Sequence, residues 1–161
     1  MKKMIFWIKS LDLQRYPNGG YLSETYHYGT HQVDSIDPLC SGLASYYLLP
    51  GNEFLAFNRL NSDILWHFYY GSTMHLHIMD NMGQYYCSKL GNNLDRGERH
   101  QVIVRKNFWY AATVYEKNGY ALTGATIFSG EQKIDLEMGS RSKLLEEYPQ
   151  HFQIIEKLTL P

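Results

Sequence analysis

The chain has 161 residues, with 15 Lys and Arg against 16 Asp and Glu for a net charge of −1, and 15% of it is aromatic, including 14 tyrosines. That length fits one domain able to bury a hydrophobic core. Balanced charge supplies no basic field for nucleic acid or anionic lipid, so neither is expected as a partner.

The N-terminus, MKKMIFWIKSLDL, begins like a signal peptide, but Lys9 and Asp12 interrupt the apolar run and no small-residue cleavage site follows. No apolar stretch reaches the length that spans a bilayer, so a soluble cytoplasmic protein is expected. Ile5, Ile8 and Leu11 at helical spacing predict a short helix over residues 4–12. Pro17-Asn18-Gly19-Gly20 ends it with strong turn chemistry, and YLSETYHY (21–28) alternates like a strand. Residues 29–42 are polar, contain Pro38 and Gly42, and read as a loop. From 43 to 128 the chain is a series of short β-type runs: LASYYLLP, EFLAFNRL, ILWHFYYG, MHLHIMD, QYYCSKL, HQVIVR, WYAATVYE and YALTGATIF. Turn residues such as Pro50-Gly51-Asn52 and Asp80-Asn81-Met82-Gly83 separate them, which argues for an all-β sandwich or barrel. The period then changes, and residues 140–148 and 149–158 read as two short helices, with Ser140 as N-cap and Pro149 at a first helical position. Cys40 and Cys87 lack a CxxC partner and read as two reduced thiols, with a single disulfide between them as the alternative.

Several stretches in order resemble one protein family. GGYLSETY (19–26) is similar to GGYYRETY, and SDILWHFYYG (62–71) to SDEIWHFYAG. GERHQVIVRKNFWYAA (97–112) resembles G-E-R-x-Q-V-V-V-P-x-G-x-W-x-A-A, and GYALTGATIFSG (119–130) resembles G-Y-A-L-V-G-x-x-V-x-P-G. The terminal LLEEYPQHFQIIEKLT (144–159) matches as well. The family is the cupin superfamily, in a small branch catalogued only as a domain of unknown function. The resemblance implies a double-stranded β-helix, the RmlC-like jelly-roll barrel, flanked by short N- and C-terminal helices in one domain over residues 1–161. It also implies a homodimer. In cupins two histidines, a carboxylate and a late histidine point into the barrel and hold a divalent metal. Here those positions carry Asn58, Leu60, Ile64 and Tyr110, and the usual Pro and Gly of the second motif are Arg105 and Asn107. That set would not hold a transition metal, so no metal or other cofactor is expected.

The expected site is therefore a metal-free pocket. Ile64 at the inward carboxylate position puts Trp66 and Phe68 inward too, with His67 and Tyr69 outward. Trp66 serves equally as plain core or as a pocket wall. Tyr26, Asn58, Ile64, Trp66 and Phe68 are the candidate ligand-binding residues, and Glu24, His77 and Tyr110 the candidate catalytic ones. Glu24 reads either as a general base raised by burial or as the partner of Arg59 or Arg105. Asn58 and Tyr110 read as hydrogen-bonding groups for an organic ligand, or as relics of a closed site. His75 and His77 share a strand face and read as hydrogen-bonded or solvent-facing residues in preference to metal ligands. Three functions follow in descending order. The first is a metal-independent small-molecule cupin, with isomerase-, epimerase- or cyclase-type proton transfer. The second is a non-catalytic binding or structural module. The third is a metalloenzyme with shifted ligands His67, His75 and His77.

Overall fold

Short β-rich runs separated by turns fold into two antiparallel sheets packed face to face, in a computed structural model that describes residues 2–28, 42–128 and 134–160. The strands are β1 (Gln14–Arg15), β2 (Tyr21–Tyr28), β3 (Gly42–Pro50), β4 (Phe54–Leu60), β5 (Asp63–Gly71), β6 (Met74–Met79), β7 (Tyr85–Leu90), β8 (Gln101–Val104), β9 (Trp109–Val114), β10 (Tyr120–Phe128) and β11 (Leu136–Met138). One sheet has the order β1-β2-β3-β10-β5-β8 and the other β11-β4-β9-β6-β7. The chain crosses between sheets at almost every turn from β3 onward, which is jelly-roll connectivity. The all-β barrel expectation holds, and β1 and β11 are additions too short for periodicity to reveal.

Alternation decides what enters the core. Tyr47, Leu49, Ile64, Trp66, Ala125 and Ile127 of the first sheet meet Leu55, Leu60, Leu76, Ile78, Tyr110 and Ala112 of the second. Helices cover the outward face of the second sheet and one end of that of the first. Helix α1 (Lys2–Ser10) lays Met4, Trp7 and Ile8 over Leu48 and Leu122, joined by Leu11 of the turn that follows. Its buried stripe is thus rotated from the expected one, leaving Ile5 exposed. Helices α2 (Arg141–Glu147) and α3 (Phe152–Leu158) place Leu144, Ile155 and Leu158 against Phe57, Met79 and Trp109 of the second sheet. Pro149 opens a single 3₁₀ turn ahead of α3, and Ser140 stands at the N-cap of α2 with its hydroxyl turned to Ser142 rather than to a backbone N–H. Among the described residues no helix is long and apolar enough to cross a membrane. Cys87 is a free, exposed thiol on β7. Cys40 and residues 29–41 of the expected loop lie outside the described residues.

Candidate functional site: a polar cup inside the barrel

Register builds the site. On the inner face of the first sheet one cross-strand row reads Glu24, Ser45, Ala125, Trp66 and Val102. The next reads His27, Leu43, Ile127, Ile64 and Val104. Facing them from the second sheet is the pair Asn58 and Tyr110. A break in the β4–β9 register between Leu55 and Asn58 takes up an extra residue, so Leu55, Asn58 and Leu60 all point inward. The Trp66 ring sits between those of Tyr47 and Tyr110, edge-on at 5.5 and 6.2 Å. Tyr16 closes the side of the cup, its ring 6.4 Å from that of Tyr47. The turn after it holds Tyr16 there: Gly19 and Gly20 have φ of 114° and 73°, and a Cβ on Gly19 would stand 1.9 Å from the Phe54 carbonyl oxygen.

Three buried polar atoms in this cup have no hydrogen-bond partner among the described residues: Ser45 Oγ, Asn58 Oδ1 and Trp66 Nε1. Their residues are 5%, 1% and 3% exposed. The Asn58 amide nitrogen donates to the carbonyls of Ala56 at 2.8 Å and Tyr110 at 3.4 Å, which fixes the amide orientation and leaves its oxygen free. Burial raises the Tyr47 and Tyr110 phenols far above their ordinary value, so both stay protonated. Tyr16 is also raised, first by burial, with the charge of nearby Glu24 adding to it.

The structure separates the candidate residues. Ile64, Trp66 and Tyr110 share one inner cluster, Asn58 is the cross-strand partner of Tyr110, and Phe68 packs against the same cluster in the row of Tyr47. Glu24 reaches only its rim, with a side chain 46% exposed and 2.6 Å from His27. The pairing skips Thr25, so Glu24 and His27 share the inner face while Tyr26 turns outward opposite Ala44, 56% exposed. Arg59 and Arg105 pair with Glu137 and Asp63 instead of Glu24. His77 is outside the barrel altogether. It lies on the outer face of β6, its Nδ1 2.8 Å from the Tyr85 hydroxyl and its Nε2 2.9 Å from Thr113 Oγ1. It therefore does not meet Glu24 or Tyr110, because Leu76 and Ile78 occupy the inward positions of its strand. Its pKa falls to about 4, mainly through burial, with His75 and Lys157 adding to the effect. Ser45, Tyr47, Tyr16 and His27 are site residues that sequence reasoning missed. The only signal for Tyr16 was its place before the Pro-Asn-Gly-Gly turn, and SYY (45–47) gave no clue to which tyrosine turns in.

The donors do not fit a divalent metal. The inward ligand positions offer one amide oxygen, two aliphatic side chains and a phenol that burial keeps protonated. Among the described residues no three His, Cys, Asp or Glu side chains are grouped so as to hold one. His67 lies in the other sheet from His75 and His77, its ring bonded to Thr126 and Gln101.

An opening of about 1000 Å³ lies beside Phe68, toward the other ends of these strands, among Tyr70, His75, Lys89, Arg96, Tyr115 and Tyr120. Glu98 beneath it is fully engaged, accepting from Thr73 Oγ1 and the Asn93 amide at 2.8 Å each, and so holds the 91–98 loop rather than a ligand.

A family model described as Cupin superfamily (DUF985) matches residues 6–138. Among solved structures, a protein from Shewanella oneidensis is 30% identical with a TM-score of 0.83, over 97% of this chain and 96% of its own. A hypothetical protein from Leishmania major is 26% identical with a TM-score of 0.84, over 98% of each chain. Oxalate decarboxylase from Bacillus subtilis, 13% identical with a TM-score of 0.55 over 91% of this chain and 37% of its own, shares the fold alone. No curated protein matches the chain.

Proposed function

Since this chain belongs to the cupin superfamily, in the branch described as DUF985, and its inward positions carry neutral side chains in place of metal ligands, we propose that it is a metal-independent small-molecule-binding cupin whose ligand occupies the barrel cup. The observation that carries this reading is that Ser45 Oγ, Asn58 Oδ1 and Trp66 Nε1, three of the four buried side-chain atoms without partners among the described residues, belong to inward-facing residues of the two facing sheets. Buried polar groups in native proteins are almost always satisfied, by protein, water or ligand. Three orphans in one aromatic cup mark a place where something else supplies the bonds.

A crystal structure of the untagged protein as purified, paired with metal analysis, tests it. Organic density in contact with Ser45, Asn58 or Trp66, and less than about a tenth of an equivalent of metal, is the expected result. A metal peak at His75 and His77, or side chains filling the cup and bonding one another, would overturn it. Proton transfer is the second reading, favoured by the Glu24–His27 pair at the rim beside Tyr16. Solvent-deuterium exchange into hydroxyacetone, lost in Glu24→Gln, would support it. No exchange above the buffer rate leaves recognition as the whole function.

A further inference from the structure

We infer that the cup selects a small, uncharged ligand that carries both a hydrogen-bond acceptor and a donor, such as a primary amide or a hydroxyketone. The inference rests on the binding reading above and adds the chemistry of the ligand.

Charge is the first argument. The cup is walled by Ser45, Tyr47, Asn58, Ile64, Trp66 and Tyr110, none of which ionises near neutral pH, because burial holds both phenols protonated. Among the described residues, the charges that act on the Tyr16 and Tyr47 phenols are Glu24, held 2.6 Å from His27 at the rim, and Glu53, paired with Arg15, so each is already engaged with a partner. An anion or a cation inside would lie in apolar aromatic surroundings without a counter-charge. Desolvation without compensation weakens binding steeply, here by about a hundredfold or more against a neutral isostere.

Polarity is the second. Indole Nε1–H is a donor only, so Trp66 asks for an acceptor. The Asn58 amino group is spent on two backbone carbonyls, so its free oxygen asks for a donor. Ser45 can serve either way. A molecule with only acceptors or only donors would leave one of these groups unpaired, and that loss is itself a strong discriminator. A carbonyl beside an N–H or O–H answers both, and the ring edges of Tyr47 and Tyr110 around Trp66 accept its apolar remainder.

Nitrogen–proton spectra of the full chain read the site directly. The Trp66 indole signal is identified as the one lost in Trp66→Phe. Titration uses three molecules of nearly one shape: glycolamide (neutral), glycolate (anionic) and ethanolammonium (cationic). Glycolamide is expected to shift the Trp66 signal downfield and saturably, with the two ions weaker by about a hundredfold. Glycolamide should also raise the melting temperature of the parent but not of Trp66→Phe, with Ser45→Ala as the second variant should the first fold poorly. Glycolate or ethanolammonium binding as tightly as glycolamide would overturn the inference and leave the binding cup standing. An unmoved Trp66 signal with all three, with one ordered water bridging Ser45, Asn58 and Trp66 in the crystal, would overturn both.

Discussion

Asn58 and His77 are both buried polar residues on strands of the same sheet, and their hydrogen bonds set them apart. Asn58 is half satisfied, and its free oxygen faces the barrel interior. His77 is bonded through both ring nitrogens beneath the C-terminal helices, with nothing left to offer a substrate. Its consequence is for stability. The folded-state pKa, near 4, lies below the ordinary 6.5, so the unfolded chain takes up the proton first as pH falls. Stability is then full above about pH 6.5, declines between 6.5 and 4 by up to about 3 kcal/mol, and is flat from this group below 4. Urea midpoints at pH 7, 5.5 and 4.5 should fall steadily in the parent and far less in His77→Gln. Equal slopes in the two proteins would show that His77 is not the titrating group. Asn107 teaches a related lesson at the position where the family resemblance places glycine. Its φ of 64° is left-handed, which asparagine tolerates better than other non-glycine residues.

Elements carry the site only through their irregularities. Regular alternation along β2 would have turned His27 away from Glu24, and the skipped Thr25 brings both to the rim while sending Tyr26 out. The extra residue between Leu55 and Asn58 does the same for β4. The outer face of the second sheet depends on α2 and α3, tied together where the Arg141 guanidinium donates to Thr159 Oγ1 at 2.8 Å and its carbonyl at 2.9 Å. Ile155 is fully buried in that contact. Ile155→Ala should cost about 2–4 kcal/mol, the usual range for truncating a core aliphatic. Because this layer lies on the far side of the sheet from the cup, glycolamide binding to the folded variant should be unchanged. A loss below about 1 kcal/mol in denaturant melts would mean that the helices pack loosely on the sheet. The C-terminal helices were legible in the sequence because their period changed. The bulges were not, because a bulge is decided by pairing with a partner strand and leaves no mark in a single strand's alternation.

At the scale of the molecule the two sheets are treated unequally. Among the described residues the second is covered by α2 and α3, whereas α1 covers one end of the first. Tyr26, Tyr69, Ile103 and Phe128 remain exposed on the first sheet's outer side, with the Tyr46 ring edge-on to Tyr69 at 5.8 Å. An antiparallel sheet usually buries one face and solvates the other, so an aromatic outer face is suited to a second copy. A homodimer is the expected outcome of light scattering at micromolar concentration, and Tyr69→Asp should shift it to monomer. A monomeric parent would assign these aromatics to solvent.

Composition and turn spacing alone determined an all-β chain with terminal helices, since strand period and turn chemistry are local properties of the backbone. The replacement of all four ligand positions was legible too, once the ordered motifs set the frame. What only the tertiary structure decided is which polar groups meet. Ser45, Tyr16 and His27 joined the cup and His77 left it, because register, bulges and sheet crossing choose the neighbours of a side chain. The orphaned atoms exist only in that arrangement: satisfaction of a hydrogen bond is a property of a pair, and the pairs form across strands far apart in the chain.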